Sequence, residues 1–232
     1  MKTHTLDNCV HVGEFAHEID YGGPHPAGAE LRYTRNTVVA TGAAVDLVLA
    51  RVPAGQDSSV KPMRVETSHN VFDCGAGLRC FQASAMFPSG KPLEPGEARS
   101  LLPRLLLWRD RTNVYAPAGC SVLWAADQPG ATAERVAETA QWKQFWGQPD
   151  ADIAEGTVRY QGGNVLFKVQ SAPDQLTPED FRLRPDSAGY RAGKDGKDLG
   201  ADLDLVGPGR GYERWKKTPE YQQWLKETGQ MK

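Results

Sequence analysis

Asparagine recurs four times in the first half of the chain, each time just ahead of two residues suited to a strand: Asn8-Cys9-Val10, Asn36-Thr37-Val38, Asn70-Val71-Phe72 and Asn113-Val114-Tyr115. The last three share a lead-in. Leu31-Arg32-Tyr33-Thr34-Arg35-Asn36, Val65-Glu66-Thr67-Ser68-His69-Asn70 and Leu107-Trp108-Arg109-Asp110-Arg111-Thr112-Asn113 each run from an apolar stretch into the asparagine, and a second apolar run follows. The pattern is strand, Asn corner, strand. Asparagine suits such a corner because it tolerates left-handed backbone angles and its amide bonds locally. In a stack, equivalent carboxamides also pair from one coil to the next. The Asn-to-Asn intervals of 28, 34 and 43 residues are uneven, as in a solenoid with loops inserted on one side of each coil.

A chain of 232 residues with 40% hydrophobic residues has enough apolar material for one sizeable core. A formal charge of −2 gives no electrostatic footprint for nucleic acid. No apolar run reaches the ~20 residues of a membrane span, and the first residues lack the apolar stretch of a signal peptide. Cys9, Cys74, Cys80 and Cys120 show no CxxC spacing and lie in or beside apolar runs, which reads as small buried thiols. Cys74 and Cys80 are the one pair close enough in sequence for a local bridge.

Along the chain, residues 1–130 read as β-coils, with insertions at 54–62 and 86–99. The run Leu105-Leu106-Leu107-Trp108 suits a strand buried on both faces of a parallel sheet. Residues 131–150 hold a flanking amphipathic helix over 133–146, with Val136, Ala140, Trp142, Phe145 and Trp146 on its apolar face. Residues 151–206 return to strand over 158–169, with a fifth, degenerate corner at Asn164, and then form a C-terminal cap. Residues 207–232 carry a second helix, with Thr218 as N-cap, Pro219 in its first turn and Gly229 as its stop. Tyr221, Trp224 and Leu225 share its apolar face, joined by Trp215; the alternative for these aromatics is a sugar-stacking platform.

The stretch Asp180-Phe181-Arg182-Leu183-Arg184-Pro185-Asp186-Ser187, with the later Lys197-Asp198-Leu199-Gly200-Ala201-Asp202, resembles the segment that closes right-handed parallel β-helix proteins of the pectate-lyase-like kind. The run Tyr212-Glu213-Arg214-Trp215-Lys216-Lys217-Thr218-Pro219-Glu220-Tyr221 is similar to the tail of large planctomycete-type proteins, many with a Ser/Thr kinase domain far upstream. The resemblance implies an all-β, right-handed parallel β-helix with a C-terminal cap and two flanking helices. It also implies an extracytoplasmic or cell-surface setting and further domains upstream, and the start of the chain almost directly at Asn8 is read the same way. No Gly-rich phosphate loop, H-R-D loop or D-F-G triplet occurs.

Parallel β-helices also host lyases and glycosidases, whose chemistry needs clustered acids or a carboxylate pair roughly 6.5–9.5 Å apart. Asp46, Glu66, Asp73 and Asp110, with Arg79, Arg109 and Arg111, are the candidates, but they sit at different offsets from their corners. No catalytic, cofactor or metal residue is assigned from them. The five histidines show no H-E-x-x-H spacing; His17 and His25, flanking a Gly-Pro loop, are the weakest of metal pairs, and Ser68 and His69 are neighbours on a strand, facing opposite ways. The expected role is a non-catalytic scaffold and recognition module contacting polysaccharide. A carbohydrate-active remnant and the C-terminal region of a receptor-like kinase are the alternatives.

Overall fold

The computed structural model describes residues 3–21, 29–49, 62–82, 95–117, 121–126, 134–136, 138–206 and 210–228. His25, Cys120, Gly229, nearly all of the expected insertion at 54–62 and most of that at 86–99 lie outside these residues.

Eleven strands are present among the described residues. They are β1 (Thr3–Asp7), β2 (Val10–Tyr21), β3 (Glu30–Thr34), β4 (Thr37–Leu49), β5 (Met63–Ser68), β6 (Val71–Gln82), β7 (Leu106–Arg111), β8 (Asn113–Tyr115), β9 (Val122–Ala126), β10 (Glu134–Val136) and β11 (Ile153–Glu155). Five helices accompany them: α1 (Pro95–Leu105), α2 (Thr139–Phe145), α3 (Val165–Ser171), α4 (Arg210–Trp215) and α5 (Pro219–Glu227). The fold is therefore predominantly β with parallel sheets, and it carries more helix than the two flanking segments expected from sequence.

Successive strands alternate between two sheets. β1, β3, β5 and β7 lie side by side and parallel in one. β2, β4, β6 and β9 are parallel in the other, with β10 added antiparallel and β8 and β11 extending it alongside β6. Each corner joins a strand of the first sheet to one of the second, so β1–β2, β3–β4, β5–β6 and β7–β8 make four layers.

Alternation decides which side chains face inward. In β5 and β7, Met63, Val65, Thr67, Leu106, Trp108 and Asp110 are buried while their neighbours are more exposed. The register stacks inward residues into columns, such as Leu31–Val65–Trp108 and Val38–Phe72–Tyr115. Tyr33, Phe72 and Tyr115 pack ring against ring at centroid distances of 6.3 and 4.8 Å. This core lies between the sheets. A second one forms where Tyr160, Val165, Phe181, Leu183, Leu199 and Leu203 cover Val39, Val71 and Val114 on the outer face of the second sheet.

Helix α2 closes the far end of the first sheet. Trp142 is buried against Trp108 and Tyr115, with centroids 5.4 and 5.8 Å away; burying such a side chain contributes on the order of 2–3 kcal/mol. The Gln148 carboxamide then serves the free edge of β7. Its Oε1 accepts from Asp110 N at 3.0 Å and its Nε2 donates to Trp108 O, so one side chain stands in for a further strand.

Several sequence expectations are corrected here. Residues 134–136 form a strand on β9 rather than the first turn of a helix, and α2 starts only at Thr139. The strand expected over 158–169 does not form: the segment holds only isolated bridges at Tyr160 and Gly163 and then helix α3. Asn164 makes no fifth corner; it is the N-cap of α3, accepting from Phe167 N at 3.0 Å. Leu105 ends α1, and Leu107 is 38% exposed, so Leu105–Trp108 is not a strand buried on both faces. Val71 and Leu183 instead meet across the second core, which makes the second sheet the one covered twice. Among the described residues no helix is long and apolar enough to cross a membrane.

Candidate functional site

The corners build the most ordered polar feature of the molecule. Asn36, Asn70 and Asn113 are almost wholly buried, at 0%, 0% and 1% exposure, so their amides need partners inside the protein. They find them in one another. Asn70 Oδ1 accepts from Asn36 N at 2.8 Å and Asn36 Nδ2 at 3.2 Å; Asn113 Oδ1 accepts from Asn70 N and Nδ2, both at 2.9 Å. The second hydrogen of each amide goes backward, from Asn36 to Leu6 O, from Asn70 to Tyr33 O and from Asn113 to Thr67 O.

Asn8 does not join this ladder. The register pairs Val10 with Thr37, which places Cys9 opposite Asn36. Cys9 N donates to Asn36 Oδ1 at 2.9 Å, as Asn36 N does to Asn70. Asn8 occupies the preceding position, the one with left-handed backbone, at φ 53°. In the other layers that position belongs to Arg35, His69 and Thr112, with φ of 53°, 58° and 52°. The ladder asparagines are therefore not the left-handed residues; they are selected for their amides. His69 sits at such a corner rather than within a strand, so its relation to Ser68 is not that of opposite strand faces.

The closing segment runs along these corners. Gly200 N donates to His69 O at 2.9 Å, Ala201 N to Thr37 Oγ1 at 3.0 Å, and Asp202 N to Asn8 Oδ1 at 2.6 Å. One residue thus meets each of three successive layers. Gly200 is required twice over: its φ is +91°, and a Cβ there would lie 2.5 Å from Thr37 Oγ1.

Beside this seam opens a cavity of about 390 Å³, lined by Arg35, Arg182, Tyr190, Arg191, Asp202 and Asp204 among others. Its charges are largely paired: Arg35 with Asp195 at 2.9 Å, Arg182 with Asp204 at 2.7 Å and Lys197 with Asp202 at 3.1 Å. Arg182 also pairs with Glu179, and the two acids raise its guanidinium further above its ordinary value. Arg191 lies over the Tyr190 ring, 5.3 Å from its centroid.

The acids singled out by sequence are dispersed. Asp46 is buried and held bidentate by Arg79, with both contacts at 2.8 Å, and Arg79 stacks on Phe15 at 4.0 Å. Asp110 is buried and accepts from Thr67 Oγ1, Asn113 Nδ2 and Tyr115 Oη on one oxygen, and from Trp142 Nε1 on the other. Asp73 lies beside Tyr160, and burial raises its carboxyl above the ordinary range. The Tyr160 phenol interacts with it, although the hydroxyl lacks a partner meeting hydrogen-bond geometry. Glu66 and Arg109 are register partners on the first sheet, and Arg111 is exposed.

Among the described residues no group of three or more His, Cys, Asp or Glu side chains is placed to hold a metal. Cys74 and Cys80 are buried thiols rather than a bridge, and Cys9 is a half-buried one. The tail aromatics do cluster, with Trp215 4.8 Å from Tyr221 and Tyr221 stacked on Trp224 at 5.8 Å, but no residue of α5 is buried. Sequence spacing located three of the ladder residues. It missed Cys9 as the fourth, and it missed Gln148 and, for Trp142, which it placed on an apolar helix face, the bond to Asp110; these roles depend on a segment more than 30 residues away. Comparison with protein-family models, curated proteins and solved structures finds no match for this chain.

Proposed function

We propose that this chain is a non-catalytic recognition and scaffold module, built as a right-handed parallel β-helix whose corner face and closing segment present a cleft to polysaccharide. Right-handed connection is the general rule for parallel strands in one sheet, and the alternation of strands between two parallel sheets supports the helical reading. The resemblance of the tail over 212–221 adds a longer protein with further domains and a cell-surface setting to this reading.

The observation that carries the non-catalytic part is the state of the acids. Asp46 and Asp110 are consumed by structural bonds, and Asp202 and Asp204 in the cleft are paired with Lys197 and Arg182. A general acid or base must reach a substrate proton. The polysaccharide part rests on Tyr190 and Arg191, which offer an aromatic face and a cation at the rim of the cavity.

The test is calorimetric titration with soluble neutral and acidic polysaccharides, together with an assay for new reducing ends and unsaturated products. Binding without turnover, weakened about tenfold by Tyr190→Ala, is the expected result. Turnover makes the chain a carbohydrate-active enzyme instead. Absence of binding to every polysaccharide removes the ligand from the reading.

A further inference from the structure

Read across the register, inward columns run through the layers. They include His4–Leu31–Val65–Trp108, Leu6–Tyr33–Thr67–Asp110, His11–Val38–Phe72–Tyr115, His17–Val45–Leu78–Val122 and Ile19–Leu47–Cys80. In three of these five, the first layer places histidine where the next places a buried aliphatic residue. Leu31, Val38 and Val45 are 2%, 0% and 0% exposed. The far end of the stack is closed by Trp142 and Gln148, whereas the first described layer presents these imidazoles beside Leu6 and Ile19.

These imidazoles are close and poorly provided for. The His4 and His17 rings lie 5.1 Å apart, and His17 meets Tyr33 edge-on at 6.3 Å. His11 Nε2 is shut off from solvent and has no hydrogen-bond partner. The nearby acids are committed elsewhere: Glu14, Glu18 and Asp46 act on Arg79, and Glu30 binds Arg32 at 2.8 Å. From β3 the facing group is the Tyr33 phenol, from β4 only Val38 and Val45, and Cys74 of β6 acts on Tyr33; burial keeps both the phenol and that thiol protonated. Two imidazolium charges would thus gather at one end of the core with no acid paired to them among the described residues.

We propose that His11 and His17, beside the exposed His4, form an acid-sensitive latch, which holds the β1–β2 layer on the stack while their rings are neutral and releases it when they are protonated. Burial lowers His11 and His17 below the ordinary histidine value of 6.5, and the neighbouring histidines lower His17 further. For groups depressed in the folded state the sign is fixed. Their contribution is whole above about pH 6.5, the unfolded value, and is lost as the pH falls below it through the folded values. Release would bare the edges of β3 and β4, which pair with β1 and β2 at neutral pH.

Hydrogen–deuterium exchange at pH 7.5 and 5.5, corrected for intrinsic chemical rates, tests this directly. Residues 3–21 are expected to lose protection by about fivefold to tenfold at the lower pH while β6 changes little. A variant carrying His11→Val and His17→Val, the residue found one layer along in both columns, is expected to protect the layer equally at both pH values. A uniform response of all layers in the wild type, or an unaltered pH response in the double variant, overturns the latch. If the double variant does not fold, NMR titration of the wild-type histidines decides: His11 and His17 titrating below 6.5 with parallel broadening of β1 and β2 amides supports it, and titration at or above that value overturns it.

Discussion

The side-chain amide of Asn113 donates to Oδ1 of the buried Asp110 across 2.9 Å, and this bond ends a chain of amides that all point the same way. Asn36 donates to Asn70, Asn70 to Asn113, and Asn113 to the carboxyl group. Each bond polarises the next, and an acidic acceptor at the end favours that single direction. The ladder and the α2 closure meet at Asp110, since its other oxygen holds Trp142.

Asp110 is accordingly expected to be the most sensitive polar position. Asp110→Leu strands the N–H groups of Asn113 and Trp142 in the interior and is expected to cost about 3–5 kcal/mol in chemical denaturation. Asp110→Asn keeps an acceptor but sets an amide against those donors, for a smaller loss of about 1–3 kcal/mol. Equal, negligible effects would show that the amide chain does not depend on its end.

Cys9 occupies the ladder position of the first layer without an amide to offer. Cys9→Asn supplies an Nδ2 in reach of Asn36 Oδ1, repeating the Asn36–Asn70 geometry. The expected gain is about 0.5–1.5 kcal/mol, read as a raised denaturation midpoint with unchanged slope. Asn8→Ala makes the contrast: it loses the two bonds to Asp202 and the residue type that best bears φ 53°, and is expected to destabilise.

Gly200→Ala combines strained backbone with a Cβ in the place of the Thr37 hydroxyl. A loss of about 2–4 kcal/mol is expected. Gly147→Ala is the control, because its φ is +65° but nothing lies within 4 Å of an added Cβ; it is expected to cost about 1 kcal/mol. Thermal unfolding of the two variants separates strain from crowding.

Burial pushes the Cys74 thiol up to about 12. Since the thiolate is the reactive form, native protein at pH 8 is expected to be alkylated at half-buried Cys9 and spared at Cys74 until denaturant is added. Mass-spectrometric mapping of the label reads this, and fast native labelling of Cys74 would show that the core opens readily.

Asp73 is raised by burial beside Tyr160. A carboxyl raised in the folded state contributes stability below its unfolded value, 3.8, that is lost as pH rises through the folded one. Asp73→Asn removes that penalty and is expected to stabilise at pH 7, with the difference vanishing near pH 3.

The sequence by itself determined the repeat. A residue whose amide must be paired when buried, recurring between alternating apolar runs, suits few arrangements other than stacked layers. Asn36, Asn70 and Asn113 could be found that way, and the Thr218 cap from its Thr-Pro-Glu signature. Local propensity could not place the first layer, because Asn8 and Cys9 differ by one position and only pairing with β4 fixes which faces the ladder. Nor could it divide 133–146 into strand and helix, since Val136 is committed by β9 and Trp142 by Asp110. Tertiary structure decided the ends of the stack, where the partner of each group lies on a segment distant in sequence. Gln148 closes one end by imitating a strand, and His4, His11 and His17 lie in the first described layer because register carries them into columns that are apolar in the layer beyond.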